Sequence, residues 1–112
     1  MKIIEQNIDR IIALCKKYKV DKLWIFGSIL TPRFNERSDI DFSVTFHYHQ
    51  IEDMFITFFD FIDELKTLLG REIDMVDESA IRNPYFRAEL DSTKRLIYAP
   101  YVGSFKSRLS PC

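Results

Sequence analysis

At 112 residues the chain has the length of one domain, and an apolar fraction of 46%, with 14% aromatic, supplies a packed core and excludes a disordered chain. Sixteen basic against seventeen acidic residues exclude wholesale electrostatic attraction to nucleic acid or an anionic membrane, so any phosphate binding must be local. No apolar run is long enough to span a bilayer, and the charged N-terminal pattern MKIIEQNIDR lacks the continuous hydrophobic stretch of a signal peptide, so a cytoplasmic location is expected.

Ile4, Ile8, Ile11, Ile12 and Cys15 recur at three- and four-residue steps and predict a first helix from about residue 3 to about residue 18. Cys15 reads as a small core residue, and a disulfide to Cys112 is not expected in a reducing compartment. Lys22 to Phe26 follows as a short aromatic-rich strand that stops at Gly27-Ser28. Thr31 to Ser38 is polar and contains Pro32 and Asn35, which predicts a short helix or loop.

The clearest periodicity comes next. Ile40, Phe42, Val44 and Phe46 alternate with Asp39, Asp41, Ser43 and Thr45, the pattern of a strand buried on one face, so both aspartates leave the same side of the sheet. His47 and His49 are expected to end that strand; a shared metal between them lacks a third ligand nearby in sequence. Residues 51–69 predict an amphipathic helix with Ile51, Phe55, Phe58, Ile62, Leu65 and Leu69 on one stripe and Gly70 as its stop. Phe58, Phe59 and Phe61 cannot all lie on one stripe, so at least one is expected to face a partner subunit in a homo- or hetero-oligomer. Arg71 to Val76 forms a further strand on which Glu72 and Asp74 share a face. Glu78 to Asp91 reads as one or two short helices broken at Asn83-Pro84, and Arg95 to Tyr98 as a final strand or helix end. The domain is therefore expected to occupy residues 1–99, with 100–112 a loose tail.

Three features carry chemistry together. Two carboxylates at i and i+2, joined by Asp74 from a third strand, offer the oxygen donors that hard cations such as magnesium prefer. Two such ions roughly 3.5 to 4 Å apart serve in-line phosphoryl or nucleotidyl transfer, and a carboxylate can help deprotonate the incoming hydroxyl. Gly27 permits a sharp turn and Ser28 adds a hydroxyl where peptide N–H groups can face an anion, so the pair is suited to the β- and γ-phosphates of a nucleoside triphosphate.

In this order and spacing, Phe26-Gly27-Ser28, ten residues, then Asp39-Ile40-Asp41, and later Glu72-Ile73-Asp74-Met75-Val76, the chain resembles the minimal nucleotidyltransferases of the DNA polymerase β-like superfamily from about Leu23 to Tyr98. The resemblance implies an α/β (α+β) nucleotidyltransferase fold, a mixed twisted sheet flanked by helices. It implies a magnesium-dependent transfer of adenylate from ATP to a hydroxyl, with Asp39, Asp41 and Asp74 as metal-binding and catalytic residues and Gly27 and Ser28 binding the nucleotide. It also implies a partner, because family members of this size are often paired with a helical HEPN toxin and add adenylate to one of its tyrosines. After Gly-Ser the family frequently carries Arg-x-Arg-Gly, whereas this chain has Ile29-Leu30-Thr31-Pro32, leaving Arg33 or Arg37 to supply a positive charge from the same connection. Two rival readings follow: an antitoxin that acts by contact alone, having lost activity with those arginines, and transfer onto a small molecule of the aminoglycoside type, which usually needs a second domain that a chain of this length does not provide.

Overall fold

The computed structural model describes residues 2–100, so Cys112 and the expected tail beyond Pro100 lie outside the described residues. The predicted first helix is two helices, α1 (Lys2–Gln6) and α2 (Ile8–Lys17). Asn7 divides them because its carboxamide Nδ2 donates to the carbonyl of Ile3 at 2.8 Å, a side-chain bond that competes with the helical ladder. The apolar periodicity survives the break, and Ile4, Ile11 and Cys15 are all buried.

Strand β1 (Val20–Phe26) enters a 3-10 turn at Gly27–Leu30, and β2 (Ile40–Phe46) follows the connection. Helix α3 (Met54–Leu69) starts three residues later than the periodicity predicts, because Asp53 caps it by accepting from the Ile56 amide at 3.1 Å. It ends at Gly70, which adopts φ 63° and donates its amide to the Lys66 carbonyl at 2.8 Å. Strand β3 (Ile73–Asp77) leads through a 3-10 turn at Glu78–Ala80 to helix α4 (Pro84–Thr93). Asn83-Pro84 thus separates two helical segments and begins the second: Asn83 Oδ1 accepts from the Tyr85 and Phe86 amides while Pro84 occupies the first turn. Arg95–Tyr98 is strand β4.

The four strands lie in the order β3-β2-β1-β4. Strands β1 and β2 pair antiparallel, as do β1 and β4, whereas β2 and β3 pair parallel across the long crossover through α3. The expected mixed sheet flanked by helices is what forms. On one face Leu23, Ile25, Ile40, Phe42, Val44 and Phe46 pack into a single core with Ile11 and Cys15 of α2 and Phe61, Leu65 and Leu69 of α3. Complete burial of a ring such as Phe42 or Phe61 contributes roughly 2 to 3 kcal/mol each, which fixes the sheet face and hence where the alternate side chains must point.

The buried stripe of α3 is rotated from the predicted one. Phe61, Leu65 and Leu69 form it, Phe58 is half-buried against Phe46, and Phe55 is 72% exposed. The reason is tertiary: Phe61 stacks against both Phe46 of β2 and Tyr18 after α2, and this anchoring turns Phe55 and Phe59 outward, where their rings lie 4.7 Å apart. The second sheet face is also covered at its centre. Ser43 is fully buried there, so β2 is not the one-faced strand that its alternation predicts.

Candidate active site

The site is built where β1 stops. Gly27 adopts φ +79°, a region that L side chains rarely enter, and a Cβ placed on it would lie 2.2 Å from Asp41 Oδ2. Glycine is therefore required twice, by backbone conformation and by the close approach of the carboxylate. The turn that follows is tied by Thr31, whose amide and Oγ1 both donate to the Ser28 carbonyl, at 2.9 and 2.8 Å.

Asp41 lies opposite Phe26 in the β1/β2 register and opposite Asp74 in the parallel β2/β3 register. Because side chains alternate along a strand, directly paired residues share a face, so Asp41 and Asp74 emerge side by side on the sheet face turned away from the main core. Asp39 stands one residue ahead of β2, exposed, and its charge reaches Asp41. The Asp41 carboxyl is pushed up from 3.8 to about 6, first by burial and then by the negative charges of Asp74 and Asp39. The structure thus brings together all three predicted carboxylates and sets Gly27 against one of them.

Crowded acidic oxygens of this kind are a donor set suited to a hard divalent cation, which would relieve the repulsion that raises Asp41. Among the described residues, however, no three His, Cys, Asp or Glu side chains stand arranged as a ready-made metal cage. The same holds around the two histidines: His47 lies 3.9 Å from the Asp21 carboxylate and His49 is exposed in the turn that ends β2.

Three features escaped the sequence. Arg71, just before β3, donates through Nη2 to the carbonyls of Asn35 and Ser38, the latter at 2.6 Å, and stacks over Phe34 at 4.6 Å. It clasps the connection immediately ahead of Asp39. Glu78, buried beneath α4, accepts from Ser43 Oγ at 2.8 Å, from Lys94 Nζ at 2.9 Å and from Arg87 Nη1 at 2.9 Å. Lys94 also sits 3.9 Å over the Trp24 ring and pairs with Asp91. This buried hub fastens α4 onto β1 and β2, two residues along from Asp41. Nothing in one sequence distinguishes Glu78 from the exposed acids around it. The third feature is a cavity of about 550 Å³ beside Gly27, between the β1 turn and α4, walled by Phe26, Leu30, Phe86 and Leu90. A second hollow of about 330 Å³ opens at Asp39, where Arg37, Lys66 and Arg71 line it.

Comparison with known proteins places this arrangement. Residues 9–100 match the family model described as "Polymerase beta, Nucleotidyltransferase", which spans the sheet, the Gly27-Ser28 turn and all three aspartates. The chain belongs to this nucleotidyltransferase family. A relative from Methanocaldococcus jannaschii, named "Putative protein adenylyltransferase MJ0128", is 40% identical to this nucleotidyltransferase over 85 residues, 76% of this chain and 82% of the relative. The fold is shared with a toxin-antitoxin complex crystallised with AMP-PNP, at a TM-score of 0.66 and 21% identity, covering 83% of this chain and 73% of that one. It is shared also with a complex of a tri-AMPylated HEPN toxin and its MNT antitoxin from Shewanella oneidensis, at a TM-score of 0.61 and 20% identity, covering 87% and 73%. Among the described residues no helix is long and apolar enough to cross a membrane.

Proposed function

We propose that this nucleotidyltransferase moves adenylate from ATP onto a hydroxyl of a protein partner, with a tyrosine of a HEPN toxin as the acceptor. The observation that carries the reading is the register of β2 and β3, which sets Asp41 beside Asp74 while Asp41 also touches the glycine turn. The name of the 40% identical relative supports adenylate and a protein acceptor, and the AMPylated toxin in the Shewanella complex supports the partner class.

In this reading the backbone of Gly27 and Ser28 holds the β- and γ-phosphates, with peptide N–H groups of the turn as the donors. Asp39, Asp41 and Asp74 would hold magnesium, two ions in the full site, which when bound supplies charge neutralisation at the phosphates. Asp74, exposed on the neighbouring strand β3, accepts the proton of the acceptor hydroxyl. The hydroxyl oxygen then bonds to the α-phosphorus as the bond to the bridging oxygen breaks, and pyrophosphate leaves. Domination by positioning and electrostatics is what phosphoryl chemistry demands of a protein. The test is to incubate purified chain and purified partner with magnesium and ATP and to weigh the partner. A mass gain of one adenylate, lost with Asp41→Asn, supports the proposal; an unchanged partner refutes it.

One observation favours a second reading, protection by contact alone. The two positions after Gly27-Ser28 where the family frequently has arginine hold Ile29, which is buried in the core, and Thr31, whose hydroxyl is committed to the turn. Under this reading the partner is inhibited equally with and without ATP.

A further inference from the structure

The chain lacks a cation in the first turn after Gly27-Ser28, and a triphosphate held there would need one. The connection offers only Arg33 and Arg37, both exposed and neither lining the cavity beside Gly27. Arg71 is committed to two backbone carbonyls and the Phe34 ring, and Arg37 lines the hollow at Asp39 next to the C-terminal end of α3, with Lys66 and Gly70. Arg87 and Lys94 are held by Glu78 and Asp91.

Arg95 is different. It opens β4 and pairs with Ile25 across the β1/β4 register, which sets it one residue pair from the Phe26-Gly27 turn, at the strand end and on the face of Ile25 rather than that of Asp41. Its side chain lines the cavity that Gly27, Leu30 and Thr31 also line, and it is the one basic residue there; Glu89 on α4 is the one acid. Arg95 is exposed, and among the described residues no carboxylate lies within ion-pair distance of it. Resting on the nucleotide-transfer reading above, we infer that Arg95 is the cation that binds the β- and γ-phosphates of the nucleotide in this chain. It replaces from a neighbouring strand the charge that the turn has lost to Ile29 and Thr31. A guanidinium offers paired donors to phosphate oxygens, and a strand position holds it more firmly than the exposed arginines of the connection.

The test is calorimetric titration of the full chain with ATP and with AMP, in magnesium, for wild type and for Arg95→Gln, Arg95→Lys, Arg33→Gln and Arg37→Gln. Loss of one charge-assisted contact predicts that Arg95→Gln binds ATP about ten- to hundredfold more weakly. AMP, which lacks the outer phosphates, should change less than about threefold, and Arg95→Lys should recover most of the ATP affinity. Unchanged ATP affinity in Arg95→Gln, an equal loss for ATP and AMP, or a selective ATP loss in Arg33→Gln or Arg37→Gln instead would overturn the inference. Should wild type itself fail to bind ATP, the nucleotide-transfer reading falls and this one with it, whereas binding by wild type with an indifferent Arg95→Gln removes Arg95 alone.

Discussion

Replacing Asp41 by Asn should disable the site and stabilise the metal-free protein. In the folded chain the Asp41 carboxyl holds its proton up to about pH 6 against an ordinary value of 3.8, because burial and two neighbouring carboxylates oppose its ionisation. A raised folded value means that the group's contribution to stability is fully present below about pH 4 and is lost as pH rises through about 6. At about 1.4 kcal/mol per pH unit, the interval corresponds to about 3 kcal/mol at neutral pH. Asp41 is only half-buried, so solvent screening trims this to roughly 1 to 2 kcal/mol. An uncharged asparagine of the same shape avoids the repulsion. In EDTA at pH 7.5 the Asp41→Asn protein should melt roughly 5 to 10 °C above wild type, and the gap should close toward pH 4. Magnesium with ATP should reverse the order, raising wild type and leaving the variant unmoved. The reasoning fails if the variant melts at or below wild type at pH 7.5 without metal, or if its advantage is the same at pH 4.

Gly27→Ala forces a Cβ to within 2.2 Å of Asp41 Oδ2 in a positive-φ turn, so a loss of about 1 to 3 kcal/mol in urea denaturation is expected, with loss of ATP binding. Glu78→Ala strips three donors of their shared partner and leaves the Lys94 ammonium poorly solvated; about 3 to 5 kcal/mol of destabilisation should be measured, against little for the exposed Glu36→Ala. Phe61→Ala should cost about 3 to 5 kcal/mol while Phe55→Ala costs less than about 0.5, and equal losses would contradict the observed orientation of α3. Asn83→Ala, which removes the acceptor for two amides at the start of α4, should cost about 1 kcal/mol in thermal unfolding.

Period-two alternation around Asp41 and Asp74 was legible in the residues themselves, because a strand leaves each side chain only two directions and the apolar set must face the core. So were the stop at Gly70 and the turn at Gly27, where backbone conformation demands a residue without Cβ. What escaped the sequence were choices among partners distant along the chain. Asn7 falls inside the predicted helix because its bond back to the Ile3 carbonyl carries no periodic signature. The face of α3 was set by Phe46 and Tyr18, which select Phe61 over Phe55 from a surplus of rings. Arg71 reads in sequence as the first residue of the strand, whereas β3 starts at Ile73 and Arg71 clasps the connection, and Glu78 reads like any surface acid although Ser43, Arg87 and Lys94 close around it.

The amino-acid order therefore determined which side chains carry oxygen donors and which sheet face they share, since local alternation and the demand for burial act on neighbours in the chain. The adjacency of Asp41 to Asp74, the contact of Asp41 with Gly27 and the position of Arg95 beside that turn were decided only by strand pairing. Pairing register is a property of two segments brought together by the whole core, and neither segment contains it alone.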